Sequence, residues 1–511
     1  MSTPWIVQDA DLDDVHSLAA FLALALKPGD VIALSGELGA GKTTFARDVI
    51  RAVLQDESQE IPSPTFSLVQ SYDGGRLPLA HFDCYRMGSA GELQEVGLDD
   101  ALRSGAALIE WGERVEEALP SGRLEISFGD GSRDDTRTLT LAGHGEWQER
   151  AQRLKELMDF CAGSPWARAR PVFLQGDAST RAYARLRRNG DTAILMDSPA
   201  RPDGPPVRGG KAYSQLVHLA EDVRPFVAVD TALKKAGLSV PSILAKDLSR
   251  GFLIIEDLGD RVFSNEAGKS PSLEEMYRAA VDVLLELMKH KPGPELPLPG
   301  GGAHRLAEFT PEVMQTEAEL LLEWFYPAVH GDVPAKDIRD EFLHAFQDLF
   351  ETIAGRDDGW VLRDYHSPNL LWLPHREGTA RVGVIDFQDA LRGHAAYDLV
   401  SLLQDARCDI ADELEGRLYA HYCEARGGAD SQFDADGFST AYAALGAQRN
   451  AKILGIFARL AKRDAKHGYL AHIPRVSAYL ERDLRHPALA RLRAWFDNHL
   501  PGTVRGKPLA L

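Results

Sequence analysis

Residues 36–43 read GELGAGKT, which sets Gly36, Gly41, Lys42 and Thr43 in the spacing G-x-x-x-x-G-K-[ST]. Such a loop needs glycines because its backbone N–H groups must close around phosphate oxygens. The lysine then reaches the β- and γ-phosphates, and the hydroxyl ligates Mg²⁺. ATP contact is therefore expected along Gly36, Glu37, Leu38, Gly39, Ala40, Gly41, Lys42, Thr43 and Thr44, with Thr43 on the metal. Hydrolysis also needs acids for the metal and the attacking water. Asp83 and Glu110 each close an apolar run and are the candidates, Glu110 also as a metal ligand. Thr65, in SPTFS, is a further hydroxyl that could reach Mg²⁺. A second set lies far along the chain. Asp364 and Asn369 are spaced D-x-x-x-x-N in LRDYHSPNLLWL, and Asp386 follows the apolar run VGVI. In phosphoryl transfer to a hydroxyl, one Asp accepts the hydroxyl proton while an Asn and a second Asp hold Mg²⁺. Asp364 is the candidate base, and Asn369 and Asp386 are the candidate metal ligands.

These groups need scaffolds, and the hydrophobic pattern supplies two. VIALSG reads as a buried strand before the glycine loop, and KTTFARDVIRAVL as an amphipathic helix after it. LPLAHFD and AALIE read as further strands ending in Asp83 and Glu110, where α/β sheets place their ligands. RLEISFGD and TRTLTLAG alternate around a polar turn and predict a hairpin. A helical pattern from 146 to 160 ends in CAGSPWARARP, which reads as a linker. We therefore expect an α/β domain over 1–150, a linker over 151–168 and a second domain over 169–511. The second domain begins with strands (169–260) and continues with helices (261–511), expected at 272–290, 310–326, 335–353, 395–406, 409–425 and 447–463. A short two-strand insert near 370–386 would bring Asp364, Asn369 and Asp386 together. Strands followed by helices predict an α+β two-lobed, protein-kinase-like fold.

Composition narrows the setting. The 511 residues carry a net charge of -19, which argues against non-specific coating of nucleic acid. Cys84, Cys161, Cys408 and Cys423 form no CxxC pair, so reduced thiols in a cytoplasmic protein are expected. The apolar stretch from Leu18 to Leu26 is too short to span a bilayer, and no membrane association is expected.

GELGAGKTTFAR, SPTFSLVQSY, HFDCYRM, EVGLDD and LIEWGERV together resemble TsaE, the ATPase subunit of the bacterial tRNA threonylcarbamoyladenosine system, over about 5–145. The resemblance implies ATP hydrolysis in support of partner proteins that modify adenosine 37 of tRNA, with tRNA engaged indirectly. It carries the family's site onto Lys42, Thr43, Thr65, Asp83, Glu110 and Trp111, the last at the nucleotide or partner face. FLQGDASTRAYARL, FLIIEDLGD, WVLRDYHSPNLLWL and VIDFQDALRGHAAYDLVSLLQDAR resemble the aminoglycoside phosphotransferase and choline-kinase superfamily over about 165–500. Within it they look like the AmgK kinases, which phosphorylate the anomeric hydroxyl of N-acetylmuramic acid and N-acetylglucosamine in cell-wall recycling. Other hydroxyl acceptors (choline, homoserine, an aminoglycoside or a ketosamine) and a catalytically dead nucleotide-binding adaptor are the alternatives. The resemblance implies a phosphate-covering loop at QGDASTR, with Gly176, Ser179 and Thr180 as donors, and an adenine-contacting hinge at IEDL, with Glu256 and Leu258. Two positions depart from the superfamily. Leu362 stands where many members have His. TAILMDSP lacks the usual strand lysine; Arg181, Arg185 or Lys211 could substitute as the cation, and if none does, nucleotide binding is weak and the catalytically dead reading follows. His366 and His394 are expected to be packed loop histidines, and Asp398 to fix the catalytic loop or cap a helix.

Overall fold

The computed structural model describes residues 4–174, 181–266 and 271–509. The chain forms two compact units, one of residues up to Pro199 with Ile243–Asp257, the other of Ala200–Ser242 with Leu258 onward.

A seven-stranded sheet organises the first unit. Its order is Trp5–Ala10, Arg137–Gly143, Leu124–Asp130, Val31–Gly36, Ala106–Glu110, Leu79–Asp83, Val69–Tyr72. The four strands from Leu124–Asp130 to Leu79–Asp83 run parallel. The expected hairpin of Leu124–Asp130 with Arg137–Gly143 is present. Strands Leu79–Asp83 and Ala106–Glu110 are buried throughout, and their register sets Asp83 beside Glu110 at the carboxyl edge. Val31–Gly36 ends in the glycine loop, and the helix Lys42–Leu54 starts immediately after it. Gly36 has no alternative there: a Cβ would come within 2.6 Å of the Phe128 carbonyl oxygen. Gly41 takes a φ of 108°, which side-chain-bearing residues rarely adopt.

The segment expected to link two domains is helical through Trp147–Ala162. That helix packs against a five-stranded antiparallel sheet, ordered Ile243–Asp247, Phe252–Glu256, Asp191–Asp197, Ala182–Arg188, Arg170–Leu174. Phe160 stacks on Phe252 with ring centroids 5.5 Å apart, and Arg153 pairs with Asp197. Leu186, Leu195, Phe252 and Ile254 of this sheet share one continuous core with Leu34, Val49, Leu108 and Leu154. The seven-stranded and five-stranded sheets are thus fastened by a common hydrophobic interior.

Helices dominate the second unit. The expected helices appear as Leu273–Leu287, Lys336–Ile353, Ala396–Leu403 and Asp412–Ala429. The helix expected at 310–326 runs as Pro311–Ala318, widens into a π turn at Leu321–Phe325 and continues to His330. Gly455 presses on this turn; a Cβ there would lie 2.4 Å from the Leu320 carbonyl oxygen. The helix expected at 447–463 is longer, Ala435–Asp464, because the small residues of STAYAALGA carry no clear period although they are helical. The short hairpin is present: Leu370–Trp372 pairs with Val382–Val384, with Leu370 opposite Val384. No described helix is long and apolar enough to cross a membrane.

Candidate functional site

At the carboxyl edge of the seven-stranded sheet, the Lys42 ammonium donates to the carbonyls of Gly36 (2.7 Å) and Glu37 (2.8 Å). It also sits 3.6 Å from the centre of the Trp111 ring. Burial lowers the Lys42 pKa, against the opposing pull of Glu110, Glu113 and Asp83. Thr43 Oγ1 donates to Glu110 Oε2 at 2.8 Å, and Thr65 Oγ1 donates to Asp83 Oδ2 at 2.7 Å. Each candidate hydroxyl therefore meets a candidate acid. Both acids are buried at strand ends, and the second Asp83 oxygen accepts the Tyr85 N–H at 2.9 Å. Leu38 is at the loop tip with 83% of its surface exposed, while Gly39, Ala40 and Thr44 complete the turn and the first helical residues. Trp111 takes a left-handed φ of 61°, which turns the chain just after Glu110. Its ring, beside Tyr85 at 5.0 Å, covers the lysine.

One participant went unassigned in the sequence reading. His81 is fully buried, with Nε2 2.9 Å from Glu110 Oε1. The available signal was the period-two pattern of HFD, which turns His81 and Asp83 to the same face of the strand. Cys84 follows on this edge, but burial pushes its thiol up to about 12, so it is no nucleophile.

In the second unit the hairpin joins the two candidate loops. Ile385 N–H donates to the Asn369 carbonyl at 3.0 Å, and Asn369 Nδ2 lies 3.4 Å from Asp386 Oδ2. Asn369 Nδ2 also donates to the Asp364 carbonyl (3.0 Å) and meets His366 Nε2 (3.1 Å). Asn369 and Asp386 together offer hard oxygen donors, the chemistry Mg²⁺ favours. Among the described residues no cluster of three or more His, Cys, Asp or Glu side chains could hold a metal. A Mg²⁺ site of one or two protein oxygens completed by substrate phosphates needs no such cluster.

Buried carboxylates hold these loops. Asp398 accepts the Leu362 N–H (2.6 Å) and the Arg363 N–H (3.0 Å), the loop-fixing role expected of it. Burial raises its pKa to about 7, against those two donors. Asp405 accepts the Ser367 N–H at 2.6 Å. Arg363, at a φ of 68°, donates to Glu317, which also takes Lys452 at 2.7 Å. Burial works against the Glu317 charge, but Arg363 and Lys452 outweigh it and hold the carboxyl at about 2. His366 and His394 are buried as expected, and burial lowers both to about 4. Gln388, also unassigned from sequence, donates to Asp386 Oδ1 at 2.9 Å. Its only signal was its place two residues after that acid. Gln388 lines a cavity of about 370 Å³ together with Ser214, Gln215, His218, His304 and Arg305.

Gly176, Ser179 and Thr180 lie outside the described residues. Arg181 immediately precedes the strand Ala182–Arg188. Arg185 Nε is 2.6 Å from Asp257 Oδ2, so its charge is already answered. Lys211 lies near enough to His218 to help lower its pKa, an effect led by burial. Met196 is fully buried on the strand without lysine. Glu256 ends its strand, and Leu258 packs against Gly383.

Fold and site define a P-loop nucleotide-binding domain followed by a phosphotransferase domain. Residues 10–139 match the family "Threonylcarbamoyl adenosine biosynthesis protein TsaE", and residues 172–435 match the "Phosphotransferase enzyme family". The N-acetylmuramate/N-acetylglucosamine kinase of Caulobacter vibrioides is 38% identical over 363 residues, 68% of this chain and 96% of that protein. The tRNA threonylcarbamoyladenosine biosynthesis protein TsaE of Rickettsia conorii is 34% identical over 153 residues, 30% of this chain and 85% of that protein. TsaE of Bacillus subtilis is 38% identical over 138 residues, 27% of this chain and 84% of that protein. The chain belongs to the TsaE family through its N-terminal part and to the phosphotransferase enzyme family through its C-terminal part.

Proposed function

We propose that the chain carries two separate MgATP-dependent activities. The N-terminal domain hydrolyses ATP in support of threonylcarbamoylation of tRNA adenosine 37, with the partner proteins of that system and with tRNA engaged through them. Lys42 bridges the β- and γ-phosphates within the loop Gly36–Thr44. Thr43, Thr65 and Glu110 hold Mg²⁺, and Asp83 and Glu110 order the water. Trp111 closes the phosphate end of the site. The names of the TsaE relatives and the pairing of each hydroxyl with an acid support this reading.

The C-terminal domain transfers the γ-phosphoryl group of ATP to the anomeric hydroxyl of N-acetylmuramic acid or N-acetylglucosamine. As the sugar oxygen bonds to the γ-phosphorus, its bond to the β,γ-bridging oxygen breaks and ADP leaves. Asp364 takes the hydroxyl proton. Asn369 and Asp386 would hold Mg²⁺, whose charge stabilises the phosphate oxygens. Gly176, Ser179, Thr180 and Arg181 contact the phosphates, and Glu256 and Leu258 the adenine. The observation that carries this reading is the hairpin, which sets Asn369 3.4 Å from Asp386 beside the Asp364 loop. The cavity lining offers a sugar the neutral hydrogen-bonding groups of Ser214, Gln215 and Gln388, alongside the charged Glu221, Asp222, Arg224 and Arg305 and with no Phe, Tyr or Trp platform. Both activities draw on cytoplasmic ATP.

The test is the full chain with MgATP and a panel of both sugars, choline and an aminoglycoside, followed by phosphorus NMR. An anomeric sugar phosphate is the expected product. Phosphorylation of choline or the aminoglycoside alone would refute the acceptor, and no product with any of them would refute the kinase reading.

A further inference from the structure

The two proposed sugars differ in one group. N-Acetylmuramic acid carries a lactyl ether ending in a carboxylate, and N-acetylglucosamine has a hydroxyl at that position. A kinase that accepts both holds the ring atoms they share. A cation placed to meet the carboxylate adds affinity for the first sugar alone.

The cavity beside Gln388 contains such an arrangement. Gln388 ties it to the transfer site: its amide nitrogen donates to Asp386 Oδ1 at 2.9 Å. The side chain is buried, and its Oε1 has no hydrogen-bond partner. His218 and His304 line the same cavity, and burial lowers both their pKa values, so they face a ligand as neutral rings. Asp222 and Arg224 answer each other within the wall: Asp222 accepts the Arg224 N–H at 2.7 Å and pairs with its guanidinium. Glu221 is the remaining lining acid, and a hydrogen bond with Asp203 raises its pKa.

Arg305 is different. It ends the short strand Ala303–Arg305 and is exposed on the cavity wall. Glu295 is its register partner across the ribbon, yet among the described residues no carboxylate pairs with the Arg305 guanidinium. A planar fork of N–H donors with no acid of its own is the chemistry that recognises a carboxylate.

We propose that Arg305 binds the lactyl carboxylate of N-acetylmuramic acid and thereby sets the preference between the two sugars. The inference rests on the sugar-kinase reading above. Arg305 touches a substituent remote from the reacting hydroxyl, so its contribution falls on binding and not on the chemical step.

The test measures kcat and KM of the full chain on both sugars for wild type, Arg305→Ala and Arg305→Lys. Arg305→Ala should lower kcat/KM for N-acetylmuramic acid roughly ten- to a hundredfold, the size of one charge-assisted hydrogen bond, almost wholly through KM. N-Acetylglucosamine kinetics should stay within about twofold, and Arg305→Lys should recover part of the loss. The methyl ester of N-acetylmuramic acid, which lacks the charge, should be indifferent to both variants. Equal losses on the two sugars, or no loss on N-acetylmuramic acid, would overturn the role of Arg305 and leave the kinase reading standing. A wild-type chain that phosphorylates neither sugar would overturn the acceptor reading itself.

Discussion

At the Lys42 site the acids stand on adjacent strands of one sheet, Asp83 opposite Glu110, and the strand ladder fixes their positions. At the Asp364 site the acids stand on the two loops that enter and leave a short hairpin of three-residue strands, and no ladder reaches Asp364 itself. The second site compensates with props: Asp398 under Leu362 and Arg363, Asp405 under Ser367, and Glu317 between Arg363 and Lys452. Both sites place a non-glycine residue in left-handed backbone next to an acid, Trp111 in one and Arg363 in the other, with Asp386 itself a third case. Such backbone costs about 1–3 kcal/mol and persists only where its surroundings over-determine it. A strand-borne site is rigid by construction, whereas a loop-borne site depends on buried charges elsewhere in the fold.

The sharpest way to break this comparison is to remove a prop. Asp398→Ala leaves the N–H groups of Leu362 and Arg363 buried without acceptors, at about 1–3 kcal/mol each. We expect a loss of roughly 2–5 kcal/mol in urea unfolding of the helical unit, together with loss of sugar phosphorylation and little change in ATP hydrolysis at Lys42. Unchanged unfolding would show that the loop holds itself. A smaller effect is expected at His81, which positions Glu110 from within the sheet. His81→Ala removes the ring that holds Glu110 Oε1 and should slow hydrolysis at the Lys42 site by about tenfold, with the sheet intact by circular dichroism. Rates equal to wild type would mean that Thr43 alone orients Glu110.

The smallest effect concerns pH. His394 accepts the Ala396 N–H at 3.1 Å and is held near 4, chiefly by burial, with Arg426 and Arg356 lowering it further and Asp357 opposing. Above about pH 6.5 the ring is neutral in both states. As pH falls from there toward 4, the unfolded chain takes the proton and the native one does not, so stability declines over that window. His394→Gln should flatten part of the slope between pH 7 and 5 in chemical unfolding; His366, His218 and His304 contribute in the same direction, and Asp398, raised to about 7, opposes them. An unaltered slope would place the titration elsewhere.

How far the sequence was legible follows from the same contrast. The glycine loop, its strand and its helix are contiguous, so their chemistry could be read directly. Asp83 and Glu110 could be singled out as candidates because strand ends are visible in the apolar pattern. Asp364 and Asn369 could be singled out by their D-x-x-x-x-N spacing, and Asp386 by the apolar run before it. Glu317 and Lys452 were not, since each is an ordinary charged residue until a fold brings it to Arg363. The cavity wall was likewise hidden, being assembled from 214–225, 298–307 and 388–391. The helix Trp147–Ala162 was legible as a helix. Its burial against a second sheet was not, because an amphipathic stripe does not name the surface it meets.

The central claim is that one chain holds two ATP chemistries that can be separated. The direct measurement is sugar phosphate formation and ATP hydrolysis in the full chain, for wild type, Lys42→Ala and Asp364→Asn, with the TsaE-system partners present. The account predicts that Asp364→Asn lowers sugar phosphorylation by about 10²–10⁴-fold and spares partner-dependent hydrolysis, while Lys42→Ala does the reverse. Loss of both activities in either variant, or sugar phosphorylation surviving Asp364→Asn, would contradict it.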